Sequence, residues 1–187
     1  MWLLLACTSG SPDSQPVIKD TAPPPETIWY TGTSQGQKPD GSFVEAERDL
    51  LFIRVLDAFE STLTERVWTE GNRQIWSTYE LVHQVDVANN SFTAEFVTPE
   101  GTLDVVGAYD AGEPWAWTAW HSTSTYRDGD YVGTKVESQD SVDGAGVVTT
   151  NKQIIDPDGT ESWIILERLT PTTQEEFETA LASITVQ

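Results

Sequence analysis

Residues 62–98, TLTERVWTEGNRQIWSTYELVHQVDVANNSFTAEFVT, decide the fold. Apolar and polar side chains alternate through Thr62–Glu70, Gln74–Val87 and Ser91–Thr98, and a period of two is the mark of a half-buried strand. Between these runs stand Gly71-Asn72 and Asn89-Asn90, residues that tolerate the left-handed backbone of tight turns. Connections this short join antiparallel neighbours, because parallel strands need a long crossover. Three strands in a meander follow.

The pattern continues in both directions. Upstream lie Arg48–Ala58 and a shorter run, Ile28–Thr31; downstream come Thr102–Asp110, Pro114–Ser124, Tyr131–Ser141, Val147–Asp156 and Glu161–Leu169. Turn signals separate them at Pro99-Glu100-Gly101, Arg127-Asp128-Gly129-Asp130, Asp143-Gly144 and Pro157-Asp158-Gly159. No helical period interrupts the series. About ten strands with one apolar face must hide that face, and a closed barrel or a two-sheet sandwich does so. The long strands in simple order favour an all-β, antiparallel up-and-down barrel. After Leu169 the period changes. Thr172 with Glu175 reads as a capping box, and Phe177, Leu181 and Ile184 fall on one helical stripe. A C-terminal α-helix is expected to lay that stripe on the outside or the mouth of the sheet.

Successive hairpins closed by a terminal helix resemble the lipocalin-like (calycin) barrels, some of them bacterial secreted proteins of unknown function. The resemblance spans Ile28 to Ile184 and is one of architecture. The Gly-x-Trp of lipocalins has no counterpart, since Trp29 precedes Gly32 here. It implies a barrel fold and leaves function to the site itself.

Composition narrows the function classes. The 187 residues carry 30 Asp and Glu against 10 Lys and Arg, a formal charge of −20. Such a surface repels phosphate backbones and anionic headgroups, so neither nucleic acid nor electrostatic membrane binding is expected. The 8 Trp, 5 Tyr and 6 Phe supply large apolar areas for a core, which argues for a folded domain despite the charge.

The amino terminus reads differently. Leu4-Leu5-Ala6-Cys7 resembles the lipobox of bacterial lipoproteins, whose cysteine is diacylated and becomes the new amino terminus. The chain has one cysteine, Cys7, so it forms no internal disulfide. No Lys or Arg precedes the apolar run, which is shorter than the usual ~7–15 residues, so residues 1–7 read as a truncated lipoprotein signal. Residues 8–27, rich in Ser and Pro through Pro23-Pro24-Pro25, read as a disordered spacer, and 28–187 as the barrel with its helix. No segment reaches the ~20 apolar residues needed to span a bilayer, so a lipid on Cys7 is the expected anchor. Export to the cell envelope follows, with Thr8 after the cysteine favouring the outer membrane.

Chemistry is sparser. Gly32-Thr33-Ser34-Gln35-Gly36 matches the Gly-x-Ser-x-Gly elbow of α/β-hydrolases, which works only on a strand-to-helix turn. Gln37-Lys38-Pro39-Asp40-Gly41 cannot start such a helix, so Ser34 is expected in a flexible loop. His83 shares a strand face with Ile75, Tyr79, Leu81, Val85 and Val87 and so points inward. His121 shares one with Trp115 and Trp117, while Trp120 falls on the other. Inward histidines orient ligands or simply hydrogen-bond in a core. Two histidines without cysteine or aspartate at ligand spacing make no zinc site. Asp128-Gly129-Asp130 and Asp156-Pro157-Asp158-Gly159 lack calcium-loop spacing and read as turns. Neither cofactor nor metal is expected.

Two functions remain. One is a binding module holding a small apolar or amphipathic ligand against Tyr79, His83, Trp115, Trp117 and His121. The alternative is a non-catalytic structural or interaction lipoprotein with a filled core. An interior cavity of a few hundred Å³ beside the tryptophans separates them in favour of binding. An enzyme lacks a catalytic constellation.

Overall fold

Alternation becomes architecture in ten strands. The protein, described by a computed structural model over residues 25–43, 47–71 and 74–183, has β1 (Glu26–Gln37), β2 (Arg48–Asp57), β3 (Thr62–Gly71), β4 (Gln74–Asp86), β5 (Ser91–Thr98), β6 (Gly101–Glu113), β7 (Ala116–Tyr126), β8 (Lys135–Val142), β9 (Val148–Ile155) and β10 (Glu161–Thr172). A helix, α1 (Gln174–Ser183), follows. Every strand pairs antiparallel with the next, and β10 returns to pair with β1, closing the barrel. The expected up-and-down barrel is the observed fold, and it is consistent with a calycin-like domain. The expected signal segment, Cys7 and all of the expected spacer but its last residues lie outside the described residues.

One seam is much shorter than the rest. β4 and β5 pair only through Gln84, Val85 and Asp86 against Thr93, Phe92 and Ser91. The next shortest, β7 with β8, runs from Ala119 to Thr125. Below Gln84 the two strands separate.

Three elements differ from the sequence expectation. β1 runs past Thr31 to Gln37, so Gly32–Gly36 is a strand paired with β10 and β2 rather than a flexible loop. Gly32 belongs there for a steric reason: a Cβ on it would lie 2.0 Å from the Arg168 carbonyl oxygen of β10. β8 begins at Lys135, not Tyr131. Residues 131–134 instead make a turn, in which the Gly133 N–H bonds the Tyr126 carbonyl and the Thr134 N–H that of Tyr131. The helix cap falls one residue later than read. Thr173 Oγ1 accepts from the Glu176 N–H, and the Glu176 carboxylate accepts from the Thr173 N–H, both at 3.2 Å, the reciprocal pairing that satisfies orphan amides at a helix start.

The inner wall carries a core cluster of Tyr30, Leu50, Phe52, Val67, Val148 and Leu169, contributed by β1, β2, β3, β9 and β10. Outside, α1 covers β1 to β3. Its Phe177 is 2% exposed and packs on Leu51 and edge-on against Trp68. Full burial of a phenylalanine contributes roughly 1.5–3 kcal/mol, enough to hold a helix this short. Among the described residues no helix is long and apolar enough to cross a membrane.

Candidate functional site

Charge enters the barrel where alternation puts it. On β2, Leu50, Phe52 and Arg54 share the inward face; on β3, Leu63, Glu65 and Val67 do. Arg54 and Glu65 are direct cross-strand partners about the hairpin turn. Arg54 Nη2 donates to Glu65 Oε1 at 3.0 Å, and the other carboxylate oxygen meets His83 Nε2 of β4 at 3.2 Å. Arg54 is 8% exposed and His83 6%, so the three form one buried polar bridge across neighbouring strands. Burial works against the ionised carboxyl of Glu65, but the hydrogen bond and charge of His83, then Arg54, outweigh it and hold the group at about 2, against an ordinary 4.5. Because Glu65 is a carboxylate, His83 Nε2 must carry the proton it shares.

The bridge divides the interior. Toward the end where β2, β4, β6, β8 and β10 finish lies a partly open cavity of about 300 Å³. Deeper in the barrel lies a second of about 270 Å³. Arg54, Glu65, His83, Phe92 and Trp120 line both.

Aromatic rings make the wall of the mouth cavity. Tyr109 and Trp117 stack at 3.7 Å between centroids with planes 8° apart. Trp115 lies 5.3 Å from Trp117, Phe92 lies 5.0 Å from Tyr109, and His83 meets Phe92 edge-on at 5.1 Å. Gly107 permits this run, since a Cβ there would fall 2.2 Å from the Phe92 ring and 2.6 Å from the His121 carbonyl oxygen. The guanidinium of Arg54 sits 4.7 Å from the Trp120 ring centroid and 5.5 Å from Phe52, cation–π distances. Burial pushes the hydroxyls of Tyr30 and Tyr109 upward, so both are neutral.

Among the described residues, three buried side-chain polar atoms lack a partner: Arg54 Nε, His83 Nδ1 and Trp117 Nε1. All three residues line the mouth cavity. An unmade hydrogen bond on a buried group costs about 1–3 kcal/mol, so their concentration in one place points to function rather than to packing.

The inner cavity is polar in a different way. Lys152 Nζ donates to both oxygens of Glu167 at 2.9 Å. Asp140 accepts from Ser138 and Thr150, and burial raises its titration point. Tyr79, its ring tilted against Phe96 at 4.9 Å, is pushed up to about 12 by burial.

The residues singled out from sequence separate accordingly. His83, Trp115 and Trp117 meet at the mouth cavity; Tyr79 lines the inner one, on the far side of the bridge. His121 does not point inward. It sits on the outer wall, its side chain 54% exposed, and pairs with Asp110 at 2.8 Å. The cause is a double irregularity between β6 and β7: Tyr109 pairs with Trp120, Ala111 with Ala119 and Gly112 with Trp117, so each strand carries one extra residue there. The bulge sends both Trp117 and Trp120 inside and reverses the alternation beyond. Trp115, in the turn just before β7, has a φ of 67°, a left-handed conformation costly for a bulky residue.

Arg54, Glu65, Phe92 and Tyr109 went unnamed as site residues. The signal for the first two was opposite charges symmetric about one hairpin turn on otherwise apolar faces. Ser34 lies within β1, away from any helix start. Among the described residues no group of three or more His, Cys, Asp and Glu is placed to hold a metal ion. The acidic turns instead spend their carboxylates on backbone amides. Asp158 accepts from the Thr160 N–H and Asp128 from the Thr102 N–H.

No family model matches the sequence, and no curated protein matches it. A solved structure with partial likeness is the acyl-CoA thioesterase II TesB2 from Mycobacterium marinum. It is 10% identical, covers 77% of this chain and 81% of that chain, and superposes with a TM-score of 0.23. A likeness that loose carries no argument about activity.

Proposed function

We propose that the protein is a binding module that holds a small apolar or amphipathic molecule in the mouth of its barrel. The observation that carries this reading is the coincidence of an aromatic-walled cavity of about 300 Å³ with three unpartnered buried polar atoms on the residues that line it. Concave, mainly apolar sites with a few placed polar groups are the usual form of a small-molecule site. The space beside the tryptophans speaks against the filled-core alternative.

Anchoring is the second half of the proposal and rests on Leu4-Leu5-Ala6-Cys7 alone. The barrel is exported and held at the cell envelope, on the outer membrane, by a lipid on Cys7, with the spacer between. Metabolic labelling with a fatty-acid analogue tests it: label on the wild type and none on Cys7→Ala is expected, and equal labelling overturns it.

Binding is tested by native mass spectrometry of the full chain, gently purified, and by equilibrium dialysis with 2-ethylnaphthalene as a probe. A co-purified small molecule, or saturable one-to-one uptake of the probe that weakens in Trp117→Ala, is expected. No adduct together with no saturable uptake overturns the reading.

A further inference from the structure

We infer that the mouth cavity selects a neutral, flat molecule of two or three fused rings bearing a carbonyl-type oxygen, and rejects carboxylates. The inference deepens the binding role proposed above and rests on it.

Size sets the ring count. The cavity's 300 Å³ is twice the ~150 Å³ of an apolar void that takes up one benzene. Shape sets planarity. The Tyr109–Trp117 stack, with Phe92 and Trp115 on either side, offers flat ring surfaces, and offset stacking on such rings favours flat partners.

Polarity sets the functional group. Arg54 Nε and Trp117 Nε1 are N–H donors without an acceptor. A carbonyl oxygen answers a donor of this kind. No appreciable surface of these atoms reaches water, so pairing one requires its side chain to shift as the ring system enters. His83 Nδ1, likewise without a partner, suits a ligand hydroxyl, which can either donate or accept.

Charge decides between neutral and ionic ligands. A buried arginine invites a carboxylate, but Arg54 is already bound to Glu65 at 3.0 Å. Lys152, the other cation lining either cavity, is bound to Glu167 at 2.9 Å. His83 is bound to the same Glu65 at 3.2 Å, so among the described lining residues every basic side chain already holds a carboxylate, and Asp140 adds a further acidic group. A carboxylate that enters must shed its water for a partner already engaged, a loss that burial makes large. A cationic ligand meets the opposite obstacle. The aromatic faces of Trp120 and Phe52 that would attract it hold the Arg54 guanidinium. A neutral ligand escapes both penalties.

Three near-isosteric probes separate the possibilities in equilibrium dialysis of the full chain: 2-acetonaphthone, neutral with a carbonyl; 2-naphthoate, anionic; and 2-ethylnaphthalene, without oxygen. The ketone is expected to bind about tenfold tighter than 2-ethylnaphthalene, the gain from pairing one unsatisfied donor, and the naphthoate more weakly than either. Glu65→Gln releases Arg54 and is expected to raise naphthoate affinity at least about tenfold relative to the ketone. If that variant does not fold, the wild-type order decides alone. Naphthoate equal to or tighter than the ketone in the wild type overturns the inference and leaves the binding role standing. So does a ketone no tighter than 2-ethylnaphthalene. If none of the three binds, this inference fails, and the binding role fails with it when no small molecule co-purifies either.

Discussion

Replacing Glu65 with glutamine keeps the side chain's volume and removes its charge from the middle of the barrel. Arg54, 8% exposed, then keeps a buried positive charge with no counter-ion. The size of the loss can be reached in two ways. A carboxyl that titrates at 4.5 when unfolded and at about 2 when folded supplies about 3 kcal/mol at neutral pH, at about 1.36 kcal/mol per pH unit. Removing one partner of a buried ion pair costs about 3–5 kcal/mol in proteins generally. The two agree, and either is a large part of a typical domain's ~5–15 kcal/mol. The sign follows from the depressed titration point. The contribution is full above about pH 4.5 and disappears as pH falls from there toward 2. Urea unfolding at pH 7 is expected to show Glu65→Gln less stable by about 3 kcal/mol, with the gap between variant and wild type closing by pH 2. A variant within about 1 kcal/mol of wild type at pH 7, or a gap that ignores pH, refutes the reasoning, since an ion pair of that kind would be a surface-type pair of little worth.

Three other perturbations test separate parts of the structure. Phe177→Ala empties the contact between α1 and the barrel, where the ring is 2% exposed; a loss of about 3 kcal/mol is expected from thermal melting followed by circular dichroism, and a loss under about 1 kcal/mol means the helix is not held there. Gly107→Ala places a methyl within 2.6 Å of the His121 backbone oxygen, so chemical denaturation is expected to show a loss above about 2 kcal/mol, with weaker probe binding as Phe92 is displaced; an unchanged midpoint contradicts the packing. Lys152→Met strands Glu167 in the inner cavity at a cost of about 3–5 kcal/mol, and adding Glu167→Leu is expected to restore most of it; a double variant no better than the single one shows that the pair does not act as a unit.

The barrel was legible because its physical requirement is simple and repeated. A closed sheet needs mainly apolar residues at every second position, and Thr62–Glu70 and Gln74–Val87 show this with few exceptions, Glu65 and His83 among them. His83 and Trp117 turned inward as their alternation demanded. The failures come where one local event overrides the period. A bulge between Trp117 and Trp120 reverses the face of everything after it on β7, so His121 moves outside and Trp120 inside. Nothing in Trp115–Trp120 as a string announces that extra residue; only the positive φ of Gly112 and Trp115 marks it afterwards. The Arg54–Glu65 pair was visible in principle. Its partners sit at equal distance from one hairpin turn, but inward charges read as exceptions until the register joins them. Gly32–Gly36 shows the reverse error, where a motif and its glycines suggested a loop although close contact with β10 was what required Gly32.

The short seam between β4 and β5 has a mechanical consequence. A cylinder laced firmly all round and tacked at one point yields along that line first, so amide protons on β4 below Gln84 and on β5 beyond Thr93 should trade for deuterium ahead of the other walls. Val82, 39% exposed, and Val97, 69% exposed, stand on the two strands that flank that slit and give its rim an apolar character. Breathing there would open the inner chamber sideways, on the side of the arginine bridge away from the aromatic mouth.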